Sequence, residues 1–180
     1  MSETPETVPP GEGLPDIPVV VPVVPATEAV AQVEAEVDAA FEEIDTDAPL
    51  VGIVMASGED REKMQPAAAE LESRGILHEV RVMSAHGDPE LVAEYARNAQ
   101  MRGLRVIIAG GTLSAALPGI VAAHTRLPVI GVPLSSPQAI AGGLDALLAI
   151  AQMPPGFPVA CVGVDAAHNA AVLAASILRT

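Results

Sequence analysis

The chain has 180 residues, half of them hydrophobic, and a formal net charge of −14. The length fits one domain with an extension. The charge is uneven, because residues 1–49 contain 12 acidic residues and no lysine or arginine, whereas the remainder is nearly neutral. Binding to nucleic acid or to an anionic membrane is excluded, since the sequence has no basic patch.

The single cysteine, Cys161, rules out an internal disulfide and fits a reducing compartment. The amino terminus lacks the basic region that begins a signal peptide. No apolar run approaches the roughly 20 residues of a membrane helix. We therefore expect a soluble, cytoplasmic protein, with Cys161 as a small core residue within a strand.

The amino-terminal part is predicted to be an acidic extension of two segments. Residues 1–26 are rich in Pro, Val and Glu, which predicts a disordered tail. A docking peptide for a protein partner or a neighbouring subunit is the alternative. Residues 27–48 are predicted to form a short acidic amphipathic helix, over about 28–44, and a linker, because apolar residues recur at helical spacing from Val30 to Ile44.

From residue 50 onward, predicted strands and helices alternate, and residues 50–180 form one predicted domain. The predicted strands are apolar runs at 50–55, 78–83, 105–110, 128–133 and 159–164. The predicted helices span 61–74, 89–102, 113–124, 140–151 and 166–178. This alternation is typical of an α/β fold, a doubly wound parallel sheet between two helix layers.

Ligands bind beyond the carboxyl ends of the strands in such sheets, which makes the strand-to-helix loops the candidate site. One of these loops, Ser84-Ala85-His86-Gly87-Asp88-Pro89, contains a histidine directly after a predicted strand. Imidazole suits proton transfer because its pKa lies near working pH. His78 and His124 are expected at surface or interface positions. His168 is expected at the surface, with a position at the site as the alternative, because it lies in the last strand-to-helix loop.

Several segments carry a resemblance to a known family. They are Val51 to Met55, Ser84-Ala85-His86, Val106 to Gly110, Leu117-Pro118-Gly119, Leu127 to Pro133, Gly143-Leu144-Asp145 and Gln152-Met153-Pro154. With them, residues 51–178 resemble the class I aminoimidazole ribonucleotide carboxylases, the PurE mutases of purine biosynthesis. The resemblance implies flavodoxin-like subunits in a homo-octamer, with no metal or organic cofactor.

The reaction that the resemblance implies moves a carboxyl group from the exocyclic nitrogen of an aminoimidazole ribonucleotide to a ring carbon. Carbon dioxide is released and recaptured in a pocket. The resemblance assigns the proton transfer at the ring carbon to His86. The expected partners are therefore a small heterocycle and carbon dioxide or bicarbonate.

Two loops depart from the family pattern at the phosphate-binding positions. Ser57 and Asp60 remain, but Glu59 stands where the family has a serine that helps to hold the phosphate. Gly87 and Asp88 stand where the family has an arginine and a threonine. A carboxylate repels an anion by about 1 kcal/mol in water and about 4 kcal/mol at an intermediate dielectric. We therefore expect that a substrate phosphate is not bound in the family's way.

The third loop, 110–119, also departs from the family, whose glycine-rich run forms the carbon dioxide pocket. Thr112 and Leu113 replace glycines, and Ala116 replaces a histidine. Side chains at these positions are expected to reshape or fill the pocket. The residues predicted to contact substrate are Ser57, Glu59, Asp60, Ser84, Asp88, Gly110 and Gly111. Asn169 matches the family, with a structural role as the alternative.

Three functions are compatible with these residues. The first is a diverged enzyme that migrates or removes a carboxyl group on an aminoimidazole-type ring through His86, without the family's phosphate clamp. The second is a non-catalytic oligomer that acts as a scaffold or regulator through its acidic tail. The third is the orthodox mutase of purine biosynthesis.

Overall fold

The computed structural model describes residues 48–179. The strands are β1 (Val51–Met55), β2 (His78–Val82), β3 (Val106–Gly111), β4 (Val129–Pro133) and β5 (Ala160–Cys161). The helices are α1 (Arg61–Ser73), α2 (Pro89–Asn98), α3 (Ala116–His124), α4 (Leu144–Ala151) and α5 (Ala167–Leu178). Short 3-10 turns at Gly58–Asp60, Gln100–Arg102 and Ile140–Gly142 precede or follow helices. The predicted tail and acidic helix lie outside the described residues.

The five strands form one parallel sheet in the order β2-β1-β3-β4-β5. This is the flavodoxin-like strand order, and it confirms the predicted fold class. Val51 lies opposite His78 on one side and opposite Val106 on the other, so β1 is hydrogen-bonded along both edges. Strands β1, β3 and β4 are buried throughout, which explains their unbroken apolar sequences.

Two apolar layers lie on opposite faces of the sheet. On one face, Ile53 and Ile108 pack with Met64 and Leu71 of α1 and with the alanines of α5. On the other face, Val54 and Ile107 pack with α2 and α3, and α4 continues that layer beside β4 and β5. Alanine-rich helices can approach a sheet closely, so this core is well filled although the chain has few aromatic residues.

The structure corrects the ends of several predicted elements. β5 covers only Ala160–Cys161 instead of 159–164, because only these two residues pair with β4 at the edge of the sheet. α3 begins at Ala116, which places Pro118 in the first turn, where its missing N–H is harmless. α4 begins at Leu144, because Gly142 and Gly143 have positive φ angles and form the predicted turn.

The close contact between Tyr95 and Gly52 generates a test of the packing. A β-carbon at Gly52 would clash with the Tyr95 hydroxyl and lie 3.2 Å from Leu104 Cδ1. We expect Gly52→Ala to lower the free energy of unfolding by about 1–3 kcal/mol, as overpacking does. Urea denaturation measures this change. The control is Gly58→Ala, because no atom lies within 4 Å of the added carbon, and an equal loss in the control would contradict the packing account.

Candidate functional site

The predicted site loops lie at the carboxyl edge of the sheet, after β1, β2 and β3. From β1 the chain winds outward to β2, and β3 then returns to the other side of β1. The winding therefore reverses between β1 and β3. In open parallel sheets the ligand crevice lies at this reversal point.

A small cavity of about 110 Å³ lies at this point and is lined by all three loops. Ala56 comes from the loop after β1, Ala85 and His86 from the loop after β2, and residues 111–117 from the loop after β3. None of its lining residues is Lys, Arg, Asp or Glu. The cavity is thus a small, weakly polar space with a single titratable group at its wall.

A wider groove of about 560 Å³ lies at the opposite edge of the sheet, around 125–130 and Pro158. It contains none of the residues predicted to carry chemistry. Since ligands of parallel sheets bind at the carboxyl ends of the strands, the smaller cavity beside His86 is the better candidate site.

His86 is exposed at the tip of a tight turn. The Ser84 hydroxyl accepts a hydrogen bond from the Gly87 N–H at 3.1 Å, and the Asp88 N–H donates to the Ser84 carbonyl at 3.0 Å. Buried Ala85 anchors the turn in the core. The turn therefore holds the His86 backbone at the wall of the cavity, where the residue is exposed to solvent.

Asp88 is the N-cap of α2. Its Oδ1 accepts a hydrogen bond from the Leu91 N–H at 3.0 Å, and Pro89 occupies the first turn. This cap accounts for an acidic residue at position 88 without a ligand, so its predicted substrate contact stays a prediction. Position 87 is open, because a β-carbon there would be 3.4 Å from Ser84 Cβ and Oγ, an ordinary contact.

The loop after β1 is closed by a reciprocal pair of hydrogen bonds. Ser57 Oγ accepts from the Glu59 N–H at 3.0 Å, and the Ser57 N–H donates to Asp60 Oδ2 at 3.2 Å. Together they form a capping box. Glu59 is exposed and Asp60 is 8% exposed. Buried Asp60 therefore stabilises the conformation of the loop through its hydrogen bond with the Ser57 N–H. The Ser57 hydroxyl acts only as an acceptor in this pair, so its proton stays available for donation.

Burial raises the pKa of the Asp60 carboxyl, and nearby Glu59 adds to this effect. The hydrogen bond from the Ser57 backbone and the charge of Lys63 act in the opposite direction but are outweighed. A carboxyl with a raised pKa is a recurring feature of functional sites and of buried structural carboxyls alike.

The two predicted glycines of the third loop have different surroundings. A β-carbon at Gly110 would lie 2.6 Å from Met64 Sδ and 3.1 Å from Leu134 Cδ1, so core packing requires this glycine. Gly111 lines the cavity, and a β-carbon there would lie 3.0 Å from the Ala115 Cα. Only Gly111 of the pair borders space that a ligand could occupy.

The rest of the third loop contains two residues in strained backbone conformations. Leu113 has φ +55° and Ala115 has φ +43°, a left-handed region that costs a residue with a side chain about 1–2 kcal/mol. Thr112 and Leu113 both line the cavity, as does Ala116. The replacements in this loop therefore border the candidate site itself.

The loop after β5 does not contribute lining residues to this cavity. Exposed His168 faces α1 instead, with its Nδ1 3.5 Å from Glu70 Oε2. Asn169, in the first turn of α5, is exposed as well. Cys161 is partly buried beside α4, and burial raises the pKa of its thiol, in agreement with its predicted packing role.

Sequence reasoning missed a polar cluster that joins three neighbouring elements. Lys63 Nζ donates to the Ser135 carbonyl and, at 2.8 Å, to Ser135 Oγ. The Ser135 hydroxyl and N–H donate to the two Asp165 carboxylate oxygens at 2.5 and 2.9 Å. The positions of Ser135 and Asp165 directly after adjacent parallel strands were the signal that could have revealed the pair.

Two features are absent from residues 48–179. No cluster of three or more His, Cys, Asp or Glu side chains within this range has the arrangement of a metal site. No helix in the same part of the chain has the length and apolar character needed to span a membrane.

The comparisons with known proteins agree with this geometry. The sequence model of the AIR carboxylase family matches residues 50–180. The chain belongs to the AIR carboxylase family. The chain is 55% identical over 130 residues to an N5-carboxyaminoimidazole ribonucleotide mutase from Pyrococcus abyssi, covering 72% of this chain and 74% of the relative.

Other relatives support the same family. A protein of the same name from Aquifex aeolicus is 52% identical, covering 72% of this chain and 77% of the relative. The crystal structure of Treponema denticola PurE matches with a TM-score of 0.64 and 32% identity, over 73% of this chain and 80% of that one. AIR carboxylase membership thus rests on sequence and on fold.

The buried Asp60 carboxyl makes a testable contribution to the pH dependence of stability. Its pKa in the folded chain lies above the ordinary value of about 3.9. Its stabilising contribution is therefore fully present below about pH 3.9 and is lost as the pH rises through the folded-state pKa. We expect the stability of the parent relative to Asp60→Asn, measured by urea denaturation, to fall as the pH rises from below about 3.9 through the raised folded-state pKa. Parallel pH profiles would contradict this.

Proposed function

We propose that this chain is a PurE-type enzyme that migrates or removes a carboxyl group on an aminoimidazole ring. His86 transfers the proton at the ring carbon. The observation that carries the proposal is the position of His86 on a small cavity at the winding reversal of an AIR carboxylase fold.

The residues at the cavity are compatible with both proposed reactions, removal and migration of the carboxyl group. In decarboxylation, the bond between the ring carbon and the carboxylate breaks, its electron pair stays on the ring carbon, and protonated His86 supplies the proton there. Carbon dioxide leaves into the cavity. In migration, the exocyclic N–C bond breaks first, its electron pair stays on the nitrogen, and protonated His86 supplies the proton that the nitrogen takes up. The ring carbon then attacks the freed carbon dioxide, and the now neutral His86 accepts the ring proton.

Ser57 and Ser84 lie in two of the loops that form the cavity, although neither serine is itself a lining residue. Ser57 Oγ and Ser84 Oγ each accept a backbone hydrogen bond, which leaves each O–H free to donate to a ligand. Asp60 fixes the Ser57 loop from the buried side. These contacts support roles for Ser57 and Ser84 as positioning residues, with Asp60 behind them.

We further propose that the family's phosphate clamp is absent. The residue after His86 is glycine, so the guanidinium of the family's arginine is missing. Exposed Glu59 adds negative charge to the loop after β1, and no lysine or arginine lines the cavity. A substrate without the 5′-phosphate fits these charges better than the ribonucleotide does.

The names of the curated relatives favour a second candidate, mutase activity on the phosphorylated ribonucleotide. Under this candidate the phosphate is held by other groups. The two candidates share the chemistry at His86 and differ in the substrate's charged end.

The role of His86 is tested by His86→Asn. We expect the variant to lose carboxyl exchange or decarboxylation by about 10²–10⁴-fold, the usual contribution of general acid–base catalysis. The assay follows isotope-labelled carbon dioxide with carboxylated aminoimidazole nucleoside and ribonucleotide. His168→Asn is the control, since exposed His168 lies outside the cavity lining and should retain parent activity. Full activity in His86→Asn, or none in the parent with either substrate, would refute the catalytic proposal.

The absence of the clamp is tested by rebuilding it. Gly87→Arg with Glu59→Ser is expected to tighten binding of the ribonucleotide by about tenfold to a hundredfold, as hydrogen bonds to charged groups do, and to leave nucleoside binding unchanged. Calorimetric titration measures both ligands. Glu94→Arg makes the same two-unit change in net charge on an exposed face of α2 and should have little effect. Equal affinity of parent and double variant for the ribonucleotide would count against a missing clamp.

A further inference from the structure

Leu113 is the one large apolar side chain that is exposed at the cavity beside His86. It is 44% exposed, whereas Leu117, the other leucine of the lining, is 1% exposed and belongs to the core. Most of the remaining lining residues are alanine, glycine or short hydroxyl residues. The free width of the cavity therefore depends on the position of the Leu113 side chain.

A tight turn fixes the backbone of Leu113. The Ala115 N–H donates to the Thr112 carbonyl at 2.8 Å, which closes a turn around Leu113 and Ser114. Ala115 is buried and packs against Gly111 with no room for a β-carbon between them. A leucine with φ +55° persists only where its surroundings determine the conformation. The turn therefore holds the Leu113 backbone at the wall of the cavity.

We propose that Leu113 determines ring specificity at the His86 site by limiting the cavity to a single five-membered heterocycle. The cavity of about 110 Å³ is far below the roughly 300 Å³ at which pockets begin to enclose drug-sized molecules. A monocyclic imidazole carboxylate fits such a space, and a fused bicyclic ring does not. The choice of an imidazole ring rests on the proposed function. The new element is Leu113, the residue that selects a single ring.

The test compares the binding of imidazole-4-carboxylate and benzimidazole-4-carboxylate to the full chain by calorimetric titration. We expect the parent to bind the single ring at least tenfold more tightly. Leu113→Gly removes the wall and suits the positive φ angle. It should bind the bicyclic ring at least tenfold more tightly than the parent does. A residue with only a structural role would not produce this gain.

Two further variants separate the steric effect of the Leu113 side chain from the effect of backbone strain at this residue. Leu113→Asn keeps a branched side chain of similar size in a conformation that asparagine tolerates, so it should still exclude the bicyclic ring. Ala141→Gly relieves another positive φ angle, at +48°, outside the cavity lining, and should leave both affinities unchanged. Melting temperatures at or near that of the parent show that the variants fold.

The outcomes distinguish this inference from the proposed function. Unchanged ring preference in Leu113→Gly, or a parent that binds neither ring, would overturn the role of Leu113. The calorimetric titration measures binding, which does not depend on catalytic turnover. A parent that selects the single ring but exchanges no carboxyl group would refute the catalytic proposal and support the selection by Leu113.

Discussion

The fold depends on direct contact between helix side chains and the backbone of the central strands. Three strand glycines make this contact, Gly52 with Tyr95, Gly110 with Met64 and Gly131 with Ile150. Each glycine lets a helix side chain lie on the sheet where a β-carbon would stand. The chain has two phenylalanines and one tyrosine, so it fills its core by close approach instead of with large rings. The same close approach sets how near α1, α2 and α4 lie to the sheet.

The sequence predicted the architecture because the buried strands have no polar face. Parallel strands covered on both sides read as continuous apolar runs, as β1, β3 and β4 do. The short β5 was overestimated, since Val159 to Val164 is equally apolar but only two of its residues pair with β4. An apolar sequence indicates burial, but it does not indicate the residue at which the hydrogen-bonded pairing of an edge strand ends.

The site was predictable in its location but not in its internal contacts. A histidine after β2 and the segment from Thr112 after β3 must meet at one edge of the sheet, and the cavity joins them. The cap made by Asp88, the packing that requires Gly110 and the backbone strain at Leu113 are three-dimensional facts. A residue type alone does not separate a carboxylate that binds a ligand from one that ends a helix. The Lys63, Ser135 and Asp165 cluster was missed for the same reason, since its members are far apart in sequence.

In the turn that carries His86, the adjacent positions 87 and 88 have different structural roles. Residue 88 holds the start of α2 through a side-chain hydrogen bond, while a side chain at residue 87 would make only an ordinary contact with Ser84. Substitutions at 88 are therefore limited to residues that can cap a helix, and substitutions at 87 have little effect on folding. Ligand preference can drift at one position while stability is preserved at the next. A lineage with this turn can explore new substrates without first acquiring compensating mutations, and a laboratory library confined to position 87 would have the same freedom.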